Sequence, residues 1–205
     1  MRLDVVWFGK VLSFHSESGI EKGGWMKVIA VKISGDRLMT AKQTEPEEGK
    51  RKRKTYSAED AKKRLYTEDG KYVFPSTYIS AVLREAGKGF KYEGKRSYMG
   101  VIRAMIRVNP MWILISPQKF EAYESYVRIP PRTGARVLSY RPLFRDWSAE
   151  FEITSLDDDI HVDQIKLILE YGGKFLGVGD GRPEFGQFII ERFQVVSGEQ
   201  RKRNK

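Results

Sequence analysis

Apolar positions along this chain change their period several times, and those changes divide it into elements. Residues 3–14, Leu-Asp-Val-Val-Trp-Phe-Gly-Lys-Val-Leu-Ser-Phe, are rich in β-formers and predict an opening strand. Trp25–Ile33, with Met26, Val28, Ala30 and Val31 in imperfect alternation, predicts a second. Ile79, Val82, Leu83 and Ala86 follow the i, i+3, i+4, i+7 rule of one helix face, with Ser76 as N-cap and Gly87 as the residue past its end. From Tyr98 to Val108 the period reads as two. It predicts a strand with Tyr98, Ile102, Ala104, Ile106 and Val108 on one face and Met99, Val101, Arg103, Met105 and Arg107 on the other. Met111–Ile115 and Phe120–Ile129 predict two more strands, and Trp147–Thr154 alternates cleanly with Trp147, Ala149, Phe151 and Ile153 inward. Asp158 and Asp159 cap a helix expected over residues 160–171, with Val162, Ile165 and Leu169 on one face and Gly172-Gly173 as its stop. Gln187–Val196 predicts the last strand. The order implies an α+β architecture, helices laid on a mainly antiparallel sheet.

One block breaks the rhythm. Residues 36–71 are polar, with Gln43-Thr-Glu-Pro-Glu-Glu-Gly followed by the run Lys50-Arg51-Lys52-Arg53-Lys54. Ser57 and Asp60 have the spacing of a capping box for a short helix, and Asp69-Gly70 is a turn signal. This block reads as an insertion projecting from the core, against the plainer reading of a solvated surface loop. The whole is expected to be one domain over residues 1–197, with a basic, disordered tail at 198–205.

Composition narrows the chemistry. The chain has 205 residues, 40% apolar and 12% aromatic, enough for one sizeable core. Its net charge is +10, which favours polyanions, nucleic acid before anionic membrane. The longest apolar run, Met111–Ile115, falls far short of the roughly 20 residues of a spanning helix, and the first twenty residues lack a signal-peptide pattern. A cytoplasmic location away from membranes is the default expectation. With no cysteine there is no disulfide, thiolate metal site or cysteine nucleophile.

The positive charge is not spread evenly. Between Arg128 and Arg145 lie Arg128, Arg132, Arg136, Arg141 and Arg145 without one acid or lysine, interleaved with Tyr140 and Phe144 and flanked by Tyr126 and Trp147. Arginine forks fit phosphate bidentately, and aromatics stack on exposed bases, the combination a single-stranded nucleic-acid site uses. Phe144 and Trp147 also suit a core. Arg103, Arg107, Lys50, Arg51, Lys52 and Arg53 are further candidates for phosphate contact.

Gly177-Val-Gly-Asp-Gly-Arg-Pro-Glu-Phe-Gly186 places four glycines between a helix and a strand. That order is the reverse of nucleotide-binding loops, in which the glycines follow a strand and open a helix, and no Gly-Lys-Ser/Thr ending is present. Gly177, Gly179, Gly181 and Arg182 are therefore expected to form a surface that a polynucleotide backbone approaches closely, with Asp180 holding the loop's own amides as an Asx-turn. His15 is a candidate general base, although a surface histidine is the plainer reading; His161 reads as structural. Asp157–Asp159 invites a metal reading, but a helix start explains it by capping, and neither metal nor cofactor is expected.

The segment Asp69-Gly-Lys-Tyr-Val-Phe-Pro-Ser-Thr-Tyr-Ile-Ser-Ala-Val-Leu-Arg84 and the loop Gly177–Gly186 with Phe188 resemble the RAMP superfamily, CRISPR-associated proteins that form crRNA-binding backbone and processing subunits. The first resembles the family's segment opening its first main helix, with Ser76 and Thr77 where that segment has Gly and Ser and with Ala81 in place of its second glycine. The second resembles the C-terminal glycine-rich signature, with Gly186-Gln-Phe instead of a Gly-x-Gly pair. The basic insertion at 36–71 stands where backbone subunits carry a projecting hairpin or variable lobe. Tyr140–Trp147 matches no standard subunit, which points to a divergent member. The resemblance implies a ferredoxin-like, RNA-recognition-type fold, RNA contact through the glycine loop and basic strands, and assembly along the nucleic acid as a homo-oligomer or within a multi-protein complex. Three readings follow: an RNA- or single-stranded-DNA-binding protein without enzymatic activity, a metal-independent endoribonuclease using His15, and a structural assembly protein.

Overall fold

The computed structural model describes residues 26–42, 58–94, 96–129, 135–156 and 160–198. The predicted opening strand at 3–14, His15, the Lys50–Lys54 run, Arg132, Asp157–Asp159 and the tail beyond Gly198 lie outside the described residues.

Strand β1 (Lys27–Met39) buries Ile29, Val31 and Ile33 on one face, the β-branched alternation that suits a half-covered sheet. It lies between β7 (Ala135–Ser155) and β8 (Ile189–Gly198), and β4 (Ile106–Asn109) pairs with the far edge of β7. All of these pairings are antiparallel. Helix α2 (Thr77–Ala86) falls between β1 and β4 in the chain, and α4 (Val162–Tyr171) between β7 and β8. Strands in the spatial order β8-β1-β7-β4, with helices after the first and third in sequence, make a ferredoxin-like α+β core, as expected from the sequence. Ile79, Val82, Leu83 and Ala86 of α2 and Ile165, Ile168 and Leu169 of α4 pack on the Ile29–Ile33 face. Burying an Ile, Val or Leu side chain stabilises by roughly 1.5–3 kcal/mol, so this helix layer is the main cohesive element.

The segment Tyr98–Val108 is not one strand: Tyr98–Met105 is helix α3, and only Ile106–Asn109 is strand. Tyr98 and Ile102 are spaced four apart, so they satisfy a helix face as well as a strand face, and in α3 both are buried. Ser76 makes no side-chain capping bond; its N–H donates to the Met111 carbonyl at 2.8 Å. Gly87 and Gly172 keep right-handed helical angles instead of ending their helices in the left-handed region. Each removes a side chain at a close approach, to Ile102 and Val82 respectively.

The insertion does not project throughout. Helix α1 (Ala58–Lys63) starts where Ser57 predicts, but Ala61 and Leu65 are buried, and Leu65 joins the main core. A hairpin of β2 (Tyr66–Glu68) and β3 (Lys71–Pro75) follows, turning on Asp69 and Gly70 with φ of 47° and 74°. β3 pairs with β5 (Trp112–Ser116), which joins β7 through Ile115 and Ser116.

Of the arginine-dense segment, which the sequence left unassigned, residues 135–145 form the first half of β7. It pairs along its length with β6 (Glu121–Ile129), from Glu121 opposite Leu143 to Ile129 opposite Ala135. The alternation of β7 is broken at Asp146, where φ is +46°. Trp147 and Phe144 both point into the core, as do Ile33 and Leu38 on β1, so the buried positions change parity at Asp36 and Asp146. Beyond that point a second small cluster, Met39, Leu143 and Phe185, forms on the other side of the sheet.

Candidate nucleic-acid interface

β8 begins opposite Ser34, which leaves the end of β1 without a strand partner on that edge. The glycine loop fills the gap. The Gly186 N–H donates to the Arg37 carbonyl at 2.7 Å and the Asp180 N–H to the Met39 carbonyl at 2.8 Å, while the Val178 N–H closes the loop on the Gly186 carbonyl at 2.8 Å. Gly179 and Gly186 have φ of +86° and +78°; a Cβ would lie 2.4 Å from the Met39 oxygen at Gly179 and 1.7 Å from the Val178 oxygen at Gly186. The chain that approaches these two glycines is thus the protein's own. Gly177 is buried, Gly179 half-buried, and Gly181 and Arg182 are exposed. Asp180 accepts the Gly181 N–H at 2.9 Å, one residue on and not two, so it holds a loop amide without closing the expected Asx-turn.

The loop also meets β6 and β7. Arg141 donates a charge-assisted hydrogen bond to Asp180, and the Phe185 ring lies 5.3 Å from Tyr123, the residue opposite Arg141 in the ladder. Arg37, which the sequence reading did not single out, sits 5.4 Å above the same Phe185 ring. Its only sequence signal was a place at the end of β1, hidden by assigning that stretch to the insertion. One end of the sheet therefore gathers Arg37, Arg141 and Arg182 around the loop, with Tyr123 beside them. The β6–β7 ribbon continues from there with Arg136 exposed and in register with Arg128, and with Tyr126 67% exposed.

In space the arginine run has acidic partners, supplied by other elements. Arg141 is paired with Asp180, and Arg145 with Glu121 at 2.8 Å, an interaction that raises the Arg145 pKa. Tyr140 donates to Glu124 at 3.1 Å, which likewise raises its pKa. Phe144 and Trp147 lie in the core. On the sheet face opposite the helices the cations are already paired and one acid is in excess: Lys32 pairs with Glu191 at 2.8 Å and Arg192 with Glu150 at 3.1 Å, beside an exposed Glu152. A polyanion gains little there.

Arg103 and Arg107 do not share a strand face. Arg103 projects from α3, while the Arg107 guanidinium folds back to donate to the Ile106 and Arg103 carbonyls at 2.9 and 3.4 Å, closing the end of that helix. His161 stands at the start of α4 without a side-chain capping bond. Among the described residues no three His, Asp or Glu groups converge as metal ligands, and no helix is long and apolar enough to cross a membrane.

No protein-family model and no curated protein matches the sequence. Solved structures do match. The cryo-EM structure of the type III-B Cmr-beta bound to cognate target RNA contains a chain with a TM-score of 0.56 at 10% identity, over 83% of this chain and 61% of that one. The chain shares its fold with a chain of the type III-B Cmr-beta structure. The likeness agrees with the RAMP resemblance carried by Asp69–Arg84 and Gly177–Gly186, and this chain spans about 61% of the Cmr-beta chain's length. Cmr6 from Pyrococcus furiosus aligns over 80% of this chain and 97% of its own at 10% identity, with a TM-score of 0.42 that is too low to bear on the fold. At 10% identity the fold is what is shared with Cmr-beta, and no residue role is carried across from it.

Proposed function

We propose that the chain is an RNA-binding protein of RAMP type, a relative of the subunits that line up along RNA in CRISPR effector assemblies, and that it takes single-stranded RNA along the glycine loop and the β6–β7 ribbon. The observation that carries this reading is the Arg141–Asp180 tie, which joins the glycine loop to the arginine strand and gathers Arg37, Arg141 and Arg182 in one place. Arg182 there and Arg136 on the ribbon meet phosphates directly, Arg37 and Arg141 add positive charge beside their Asp36 and Asp180 partners, and Tyr123 and Tyr126 offer rings to unstacked bases. The fold shared with a Cmr-beta chain, whose structure holds target RNA, and the net charge of +10 support the same reading. Assembly of several copies along one strand follows from the same resemblance.

The test is binding of labelled single-stranded RNA across a salt series. With four phosphates neutralised, the logarithmic slope is about −3, and affinity falls about 50-fold between roughly 50 and 200 mM salt. A flat response overturns the proposal. A matched single-stranded DNA separates recognition of the 2′-hydroxyl from phosphate contact alone, and the stoichiometry on long RNA reads out assembly.

A further inference from the structure

Basic residues also collect at the other end of the sheet, on the helix side. Arg84 leaves the last turn of α2, Lys91 and Arg96 stand on the loop between α2 and α3, and Arg103 projects from α3; all four are exposed. None has a carboxylate partner among the described residues; nearby Lys88 is paired with Glu85 at 2.7 Å. The described residues on either side of the loop are tied together. Lys91 and Ser97 form a β-bridge, the Tyr92 N–H donates to the Arg96 carbonyl at 2.9 Å, and Tyr92 packs edge-on against Tyr98 at 5.2 Å. Arg96 precedes the N-terminus of α3, where the helix dipole disfavours a cation, so local structure gives no reason for it.

A second observation points to a ligand. Gly100 lies on the exposed face of α3 between Arg96 and Arg103, and a Cβ there would meet nothing within 4 Å. Mid-helix glycine is unfavourable relative to alanine by about 1 kcal/mol, and here neither backbone angle nor packing requires it. A bare stretch of helix between two unpaired arginines suits a phosphate backbone lying flat on the surface. We propose that the outward face of α3, Arg96–Gly100–Arg103 with Arg84 and Lys91 at its margin, is a second phosphate-contacting surface for nucleic acid. It rests on the reading of the chain as an RNA-binding protein. β4 pairs with β7 at residues 152–155, and the loop meets it at Arg141. At about 3.3 Å per residue the two surfaces stand on the order of 40 Å apart along β7.

The experiment measures long single-stranded RNA binding by the intact protein in three variants. Arg96→Ala with Arg103→Ala lowers the magnitude of the salt slope by about 1.4 and weakens binding several-fold. Gly100→Gln keeps or raises the melting temperature and still weakens binding, because it adds a side chain where the backbone lies. On an oligonucleotide too short to span both ends the α3 variants cost less than they do on long RNA, because the loop end alone can hold it. Arg136→Ala with Arg182→Ala serves as the control at the loop end. If the wild type binds RNA and the loop-end variant is impaired while both α3 variants bind and titrate as wild type, the second surface serves some other partner and this inference falls alone. If the wild type binds no RNA, the proposed function falls and takes this inference with it.

Discussion

Arg141 of the arginine strand donates to the carboxylate of Asp180, and Asp180 in turn accepts the Gly181 N–H and donates its own N–H to Met39 on β1. The glycine loop and the basic strand are therefore one structure, with a carboxylate standing where a phosphate would otherwise meet Arg141. Asp180→Ala is expected to lower stability by about 1–2 kcal/mol through loss of charged hydrogen bonds. It should also raise RNA affinity several-fold at low salt by removing a negative charge and releasing the guanidinium. Thermal melting and RNA titration of the same preparation check both halves; reduced affinity with the fold intact would mean that Asp180 holds Arg141 in its working position.

The glycines of the loop are not equivalent. Gly186→Ala and Gly179→Ala force a Cβ onto backbone oxygens at positive φ and should each cost more than about 3 kcal/mol, because the left-handed penalty of about 1–2 kcal/mol adds to a clash that backbone cannot relieve. At Gly181 the obstructing atom is the Phe185 ring, 2.8 Å away, which can turn aside; the cost there is about 1–2 kcal/mol. Denaturant unfolding of the three variants gives the order directly.

Arg182 and Arg136 are exposed with no ion pair among the described residues, whereas Arg145 is engaged by Glu121. Arg182→Ala and Arg136→Ala should each reduce the salt slope of RNA binding by about 0.7, and Arg145→Ala by less. Losses should be alike for RNAs of different sequence, since phosphate contacts carry no base information. A salt titration of the three variants against two unrelated RNAs decides this.

Burial, and then the hydrogen bond to Tyr66, push the Tyr78 hydroxyl well above the ordinary tyrosine range. The folded pKa is raised, so the unfolded chain loses this proton first as pH climbs. Stability from this group is complete below pH of about 10 and declines as pH rises above it. Tyr78→Phe should flatten that decline while leaving stability near neutral pH within about 1 kcal/mol, given the weak 3.4 Å bond it loses. Unfolding free energies from neutral to strongly alkaline pH, compared between the two proteins, provide the measurement.

Where one period ruled, the sequence was readable. The apolar spacings of Ile79–Ala86 and Trp147–Ile153 admit one element each, and both elements are found. Tyr98–Met105 satisfied two periods at once, and tertiary packing of Tyr98 and Ile102 chose the helix. The first half of β7 escaped notice because the left-handed Asp146 shifts its alternation by one, so that Phe144 and Trp147 never fall on a common period-two face. At the candidate interface, the arginine run and the glycines stood out as residue types. What remained hidden was long-range pairing: Asp180 lies 39 positions from Arg141 and Glu121 lies 24 from Arg145.

β7 runs unbroken for 21 residues, from the ribbon past the glycine loop to the ladder beside α3. A single hydrogen-bonded strand does not stretch, so any two contacts it carries keep a constant separation. On the proposed reading such a strand would work as a ruler, holding RNA laid across it in increments set by the protein and not by the polymer's own flexibility. Each added copy would then mark off the same length of chain.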